Sequence, residues 1–317
     1  MSADPKAVPP ITKLIGMQKS TSPTAKPPRS VRAFCLRVLE CGDLSTKLSA
    51  PLDEQGRTLP DSPKGPAVFI DRPERGAGLH MCGGNPRLPR PGQLGDPAHR
   101  KRCLSRFAHH ELMAVELFAW ALLRWPSLPR PLRRGMLSAL VDEQRHCRLY
   151  LARLKAHGGD FETDDHSDYF WRLAPVIAAS SAGPRAFLAA VGLTLEQANL
   201  DFTLTYRDGF AEAGDAESAR VCQLVHDEEI AHVALASRWM KRLGDPDSAD
   251  PAETDLDRYL AAVPFPLGPA RAKGRRFEVA ARRRAGLSEA MIDHVRHARS
   301  SQERSAGPAD SSTQKRD

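Results

Sequence analysis

Two Glu-x-x-His pairs, Glu143/His146 and Glu229/His232, each follow a lone glutamate at nearly the same distance, and this duplication constrains the fold more than any other feature. Glu111 precedes Glu143 by 143 − 111 = 32 residues, and Glu196 precedes Glu229 by 229 − 196 = 33. The copies are offset by 196 − 111 = 85 and 229 − 143 = 86 residues, which implies two homologous helical hairpins. The flanks repeat as well: Glu111-Leu-Met-Ala-Val-Glu116 aligns with Glu196-Gln-Ala-Asn-Leu-Asp201, and Asp142 with Glu228. Residues three apart on an α-helix share a face, so each pair can present a carboxylate and an imidazole to one metal ion. A single such pair is a weak signal; the matched conjunction is not.

Local patterns put each motif on a long helix. Asp96-Pro97 has the form of an N-cap followed by proline at the first helical position, and the helix can run to Trp125 before Pro126 stops it. Its stretch Leu112 to Leu123 is apolar on every side except at Glu116, which predicts burial all round and a partner for each of Glu111 and Glu116. A second helix fits Pro131 to His157, closed by Gly158-Gly159. A third fits Pro184 to Ala213 and a fourth Ala216 to Leu243. The expected fold class is all-α: a four-helix bundle over residues 96–245, made of two tandem hairpins. Residues 31–95 are expected to add a helix at Val31 to Leu48 and an extended Pro/Gly-rich strap, and residues 246–299 a set of C-terminal helices. Those are placed near Glu253 to Ala262, Ala270 to Ala285 and Ser288 to Ala298, with a short helix at Tyr169 to Ala178 in the linker between hairpins. Residues 1–30 and 300–317 are expected to be disordered.

No stretch approaches the roughly 18 to 20 apolar residues of a membrane span, and the first residues lack the apolar run of a secretory signal, so a cytoplasmic protein is expected. The six cysteines form no Cys-x-x-Cys pair and read as reduced thiols. Cys147 points about 100° away from His146 on a helix and is not expected to be a ligand. The formal net charge is +7, and much of the excess lies in Arg271, Lys273, Arg275, Arg276, Arg282, Arg283 and Arg284. This run is a candidate polyanion-binding surface, although such runs are more often solvated faces.

Four carboxylates and two imidazoles match the ligand set of ferritin-like di-iron bundles, in which two helices give a glutamate each and two give Glu-x-x-His. Two divalent ions bring +4 and Glu111, Glu143, Glu196 and Glu229 bring −4, so a neutral cluster can sit in a dry core that would reject either half alone. Glu143 and Glu229 are assigned as bridging carboxylates, His146 and His232 to one ion each, and Glu111 and Glu196 as outer ligands. Glu116 is the poorer outer ligand, because its gap to Glu143 is only 143 − 116 = 27 residues. Glu116, Asp201, Asp142 and Glu228 are expected in the layer behind the ligands, with Glu116 accepting a hydrogen bond from a ligand histidine. His109, His110 and His226 are expected to be hydrogen-bonded or surface histidines, and Tyr150, one turn beyond His146, a core side chain.

The phrases Phe107-Ala-His-His-Glu-Leu-Met-Ala-Val-Glu-Leu-Phe-Ala-Trp-Ala-Leu-Leu, Asp142-Glu-Gln-Arg-His-Cys-Arg-Leu-Tyr, Gly192-Leu-Thr-Leu-Glu-Gln-Ala-Asn-Leu-Asp, His226-Asp-Glu-Glu-Ile-Ala-His232 and Pro264-Phe-Pro resemble the bacterial ferritin-like family labelled domain of unknown function 455. The resemblance covers residues 31 to 298 and implies the ferritin-like bundle with a dinuclear metal site at the matched residues. More distantly the arrangement is similar to rubrerythrin, whose rubredoxin module needs two Cys-x-x-Cys pairs that this chain lacks, and to a ferritin-like tRNA hydroxylase. The expected function is an O2-activating oxidase or monooxygenase with two iron ions, or a mixed manganese/iron pair, acting on an unidentified substrate with an external electron donor. Hydroxylation of a modified RNA base is an alternative motivated by the basic run; ferroxidase, metal-handling or peroxide-protection chemistry is another. No membrane partner is expected, nucleic acid is not favoured, and a small homo-oligomer would fit.

Overall fold

The structure, a computed structural model, describes residues 27–84, 87–243 and 253–299. The disorder expected for residues 1–30 and 300–317 falls outside these, apart from the segment that leads into the first helix. The described chain is all-α but for one two-residue parallel strand pair and an isolated antiparallel bridge between Leu52 and Thr58.

Helix α1, Val31–Glu40, is capped by Ser30 and lays Val31, Phe34 and Val38 into the core, and α2, Leu44–Lys47, is capped by Asp43. One continuous helix over residues 31 to 48 was the sequence expectation; the chain instead breaks at Cys41 to Asp43. The cause is a close backbone approach, in which Gly76 donates its N–H to the Gly42 carbonyl at 2.9 Å. A side chain at Gly42 would put its Cβ 2.6 Å from the Gly76 nitrogen.

The strap then runs extended across the end of the next helix. Val68 donates to the Leu123 carbonyl at 3.1 Å, the Trp120 indole donates to the Ile70 carbonyl at 3.0 Å, and Arg133 clasps Asp61 with two bonds of 2.7 Å. Strand β1, Met81–Cys82, pairs with β2, His166–Ser167, so strap and linker are joined beside the hairpins.

The first hairpin is α3, Pro97–Arg124, and α4, Arg130–Ala156. Asp96 caps α3, accepting from the Ala98 N–H at 2.8 Å, and Gly158, at φ 69°, turns the chain out of α4 while Gly159 donates to the Leu154 carbonyl at 2.9 Å. After the linker come α5, Ala174–Ala179, and α6, Pro184–Phe187, the latter passing directly into a π-helical stretch, Leu188–Leu195. The second hairpin follows as α7, Glu196–Glu212, and α8, Ala216–Arg242, the latter capped by Asp215. The short linker helix starts at Ala174 rather than Tyr169, because one 3-10 turn at Trp171–Leu173 first carries the Trp171 indole to the Glu116 carboxylate, 2.9 Å away.

Helices α3 and α4 pack along each other, as do α7 and α8, and α4 meets α8 between the hairpins. The core is continuous from α1 through all four long helices to the C-terminal helices α9, Asp255–Ala262, α10, Val279–Arg284, and α11, Glu289–His297. The helix expected over 270–285 is confined to α10. The reason is electrostatic: the Gly274 and Glu278 N–H groups are turned away from helical carbonyls to donate to Asp201 at 2.8 and 2.7 Å. Among the described residues no helix is long and apolar enough to cross a membrane.

Candidate metal centre

Each Glu-x-x-His pair sits at the same depth in its helix, since 143 − 130 = 13 and 229 − 216 = 13 residues separate Glu143 and Glu229 from the starts of α4 and α8. Where α4 meets α8 the two pairs face each other, and α3 and α7 add Glu111 and Glu196 from either side. The result is two groups of potential ligand atoms, Glu111/Glu143/His146/Glu229 and Glu143/Glu196/Glu229/His232, each with its atoms within 4.8 Å of one another. Glu143 and Glu229 belong to both groups. All six side chains are buried, with no more than 6% of any exposed.

Both imidazoles turn Nδ1 inward. His146 Nδ1 lies 3.3 Å from Glu143, and His232 Nδ1 lies 2.9 Å from Glu143 and 3.0 Å from Glu229. Their Nε2 atoms turn outward and cross between the hairpins: His146 Nε2 is 2.7 Å from Glu228 of α8, and His232 Nε2 is 3.4 Å from Asp142 of α4. Each histidine is therefore oriented by the carboxylate that precedes the other hairpin's glutamate. Arg145 reaches both Asp142 and Glu228 and holds the pair of outer carboxylates in place. Asn199, three residues and one helical turn after Glu196, donates to Glu229 at 2.9 Å. Sequence reasoning passed over Arg145 and Asn199, although their i+3 spacing from Asp142 and Glu196 was a usable signal.

Glu116 and Asp201 do something different from the role expected of them. Neither touches a histidine. Glu116, wholly buried, pairs with Lys47 at 2.9 Å and Arg75 at 2.8 Å, while Asp201, equally buried, holds Arg282 through bonds of 2.7 and 2.8 Å. Both carboxylates sit five residues after an outer ligand, and each recruits a cation from a segment outside the hairpins, where local sequence spacing could not reveal it.

Electrostatics within the cluster follow from burial and proximity. Burial, then the charge of Glu143, pushes the Glu111 carboxyl well above the usual carboxylate range; burial and then Glu229 do the same to Glu196. A proton shared with the facing carboxylate, Glu143 for Glu111 and Glu229 for Glu196, adds to the upward shift. Burial also works to raise Glu143, but the opposite charge of His232 and the hydrogen bonds from both histidines outweigh it and hold Glu143 below its ordinary value. For His146, burial is outweighed by hydrogen bonds to Glu143 and Glu228, which raise it to about 10; the charges of Glu229 and Glu143 similarly raise His232. These shifts all favour the protonated forms of Glu111, Glu196, His146 and His232. This buried set of oxygen and nitrogen donors could hold a metal ion in place of those protons.

A family model described as "Protein of unknown function (DUF455)" matches residues 43–293. The chain belongs to this family. Comparisons with curated proteins and with solved structures gave no match. In this DUF455 chain the matched span contains all six candidate ligands together with Lys47, Arg75 and Arg282.

Beside the centre lies a cavity of about 600 Å³ between α3 and α7, with Glu111 and Glu196 on its floor. Tyr150 also lines it, its hydroxyl 4.0 Å from the Cys222 sulfur. His109 and His110 also line the cavity, whereas His226 contacts the Leu200 carbonyl at 3.1 Å. Cys147 is buried with its thiol on the Ala108 carbonyl at 3.2 Å, apart from the donor groups.

The basic run does not form one surface, which corrects its treatment as a single polyanion site. Arg282 is fully buried on Asp201, Arg276 pairs with Asp208 at 2.6 Å and Arg283 with Glu289 at 2.6 Å. Arg271 and Lys273 line the cavity, and Arg275 and Arg284 are exposed.

Proposed function

We propose that this protein is a dinuclear-metal carboxylate protein, with two iron ions or a manganese/iron pair, and that it acts as an O2-activating oxidase or monooxygenase. The two hairpins are read as a ferritin-like four-helix bundle. The observation that carries the proposal is the pair of donor groups that share Glu143 and Glu229, whose outer members Glu111 and Glu196 line a cavity large enough for an organic molecule.

Glu143 and Glu229 would bridge the ions, His146 and His232 would each bind one through Nδ1, and Glu111 and Glu196 would complete the two sites. When bound, a redox-active metal pair supplies the electron transfer to O2 that side chains cannot. The chain's own part is to fix and shield that pair. Glu228 and Asp142 select the tautomer that leaves Nδ1 free for metal, Asn199 steadies the Glu229 carboxylate, and the packed helices exclude water from Glu143, His146 and Glu229. The cavity supports an organic substrate over simple ferroxidase or metal-handling chemistry, for which it would have no use. Burial of Arg282 weighs against the RNA-base alternative. Six free cysteines suit a reducing, cytoplasmic setting, with electrons from an external donor.

Anaerobic reconstitution with Fe(II), then O2 exposure followed by optical and Mössbauer spectroscopy, tests the proposal on wild type and Glu143→Ala. A dinuclear signal in wild type that disappears in the variant is expected. No dinuclear signal, or one that survives the substitution, would overturn it.

A further inference from the structure

The cavity has a polarity that narrows what it can hold. Its floor is buried: Glu111, Glu196, Tyr150, Ala114 and Thr203 are each no more than 6% exposed. Its mouth is open and basic, with Arg87 and Arg271 exposed and Arg106 and Lys273 half-buried. Among the described residues none of these four cations is in an ion pair. Arg271 donates to the Tyr169 hydroxyl at 2.7 Å, Lys273 to the Arg296 carbonyl and Arg106 to the Arg87 carbonyl, all neutral acceptors. An arginine has five N–H donors, so Arg106 and Arg271 keep donors to spare. Asp165 lines the mouth with these cations, and both it and Asp164 attract Arg106. The rest of the wall is mixed, with Phe107, Phe170, Leu195 and Phe202 giving apolar surface beside the rings of His109, His110 and His166. Phe202 is 42% exposed, an unusual cost for a large apolar side chain unless something covers it.

We propose that the cavity binds a small organic anion with an apolar body, its charged head on Arg271 and Lys273 with help from Arg106 and Arg87, and its far end toward Glu111 and Glu196. This deepens the reading of the cavity as the substrate site of the dinuclear centre, and rests on that reading for its catalytic meaning. A cationic substrate would meet repulsion at the mouth. A neutral one would leave the unpaired arginines unused, and a carboxylate or phosphate is the bidentate partner a guanidinium suits. The volume of about 600 Å³ is that of a pocket for a single small molecule.

A charge series on one aromatic body tests this on the full-length chain after chelator treatment: 2-naphthoate, 2-naphthyl phosphate, 2-naphthol and 2-naphthylmethylammonium, followed by titration calorimetry. The two anions are expected to bind at least about tenfold more tightly than naphthol, with the ammonium weakest, and the tighter anion identifies the head group. Arg271→Gln combined with Lys273→Gln should reduce both anions to the level of naphthol and leave naphthol unchanged. Phe202→Ala should weaken all of them. Equal binding of naphthoate, naphthyl phosphate and naphthol overturns the proposal, as does an anion preference that survives the double substitution. So does salt-dependent binding of a single-stranded oligoribonucleotide with no preference within the naphthyl series. Glu143→Ala separates the two levels of the argument. Loss of metal with retention of the anion preference is expected; an anion preference in a protein that never loads two ions would leave this site standing and remove the dinuclear reading.

Discussion

The two hairpins present the same candidate ligands but secure them from opposite ends of the chain. In the first, Glu116 of α3 is pinned by Lys47 and Arg75, which precede the hairpins; in the second, Asp201 of α7 is pinned by Arg282, which follows them. The halves also enter their ligand helices differently. Helix α3 runs without interruption through Glu111, whereas Glu196 is preceded by π-helical winding, in which the Thr194 hydroxyl donates to the Ala189 carbonyl five residues back at 2.8 Å and accepts from Tyr259. Stepping back from Gly192 by the 85-residue offset gives Phe107. The first half has a ring there, 4.9 Å from the ring of Tyr206; the second has a glycine where an added Cβ would lie 2.3 Å from the Ala236 Cβ. A duplicated ligand frame thus tolerates unlike supports, provided that each buried carboxylate five residues beyond an outer ligand finds a cation.

The largest expected effect breaks what the halves share. Glu143→Ala or Glu229→Ala should abolish loading of both ions, because each carboxylate belongs to both donor groups, whereas Glu111→Ala or Glu196→Ala should cost one ion; elemental analysis of iron per chain distinguishes these outcomes. Next comes what the halves do separately. Asp201→Ala leaves Arg282 buried and unpaired and should destabilise the protein by about 3–5 kcal/mol in chemical denaturation, as should Glu116→Ala through Lys47 and Arg75. A loss below about 1 kcal/mol at either site would contradict the tethering role.

The crossed histidine supports give a smaller, more specific effect. Glu228→Gln should weaken metal affinity at the His146 position by about 10–100-fold and Asp142→Asn at the His232 position by a similar factor, read by stepwise metal titration. Gly192→Ala should cost about 1–3 kcal/mol through the clash with Ala236, with both ions still bound.

The smallest effect is on pH dependence. His146, raised to about 10, and His232, also raised, contribute stability to the metal-free protein that is fully present below the usual histidine value and lost as pH climbs toward 10. The raised Glu111 and Glu196 act in the same direction, since their ionisation disfavours the metal-free fold. Metal displaces these protons, so the gain in melting temperature on iron loading should widen between pH 6 and pH 8.5. A gap that narrows would contradict the proton balance assigned to the cluster.

The long helices were legible because their signals are local. Asp96-Pro97 and Gly158-Gly159 mark helix ends within a few residues, and Glu-x-x-His spacing is a one-turn property. Positions of Glu111, Glu143, His146, Glu196, Glu229 and His232 followed from that spacing plus the repeat. The partners of Glu116 and Asp201 did not, because Arg75 and Arg282 lie 116 − 75 = 41 and 282 − 201 = 81 residues away. The break at Gly42 and the unwound stretch before α10 have the same origin: long-range backbone contacts override helical patterning. A cavity between α3 and α7 leaves no periodic trace at all.

Anomalous diffraction at the iron edge, from crystals of iron-loaded protein, tests the central claim most directly. Two peaks roughly 3.5–4 Å apart, both within bonding distance of Glu143 and Glu229 and each beside one of His146 and His232, are the predicted result. A single peak, or iron bound away from the shared carboxylates, would contradict it.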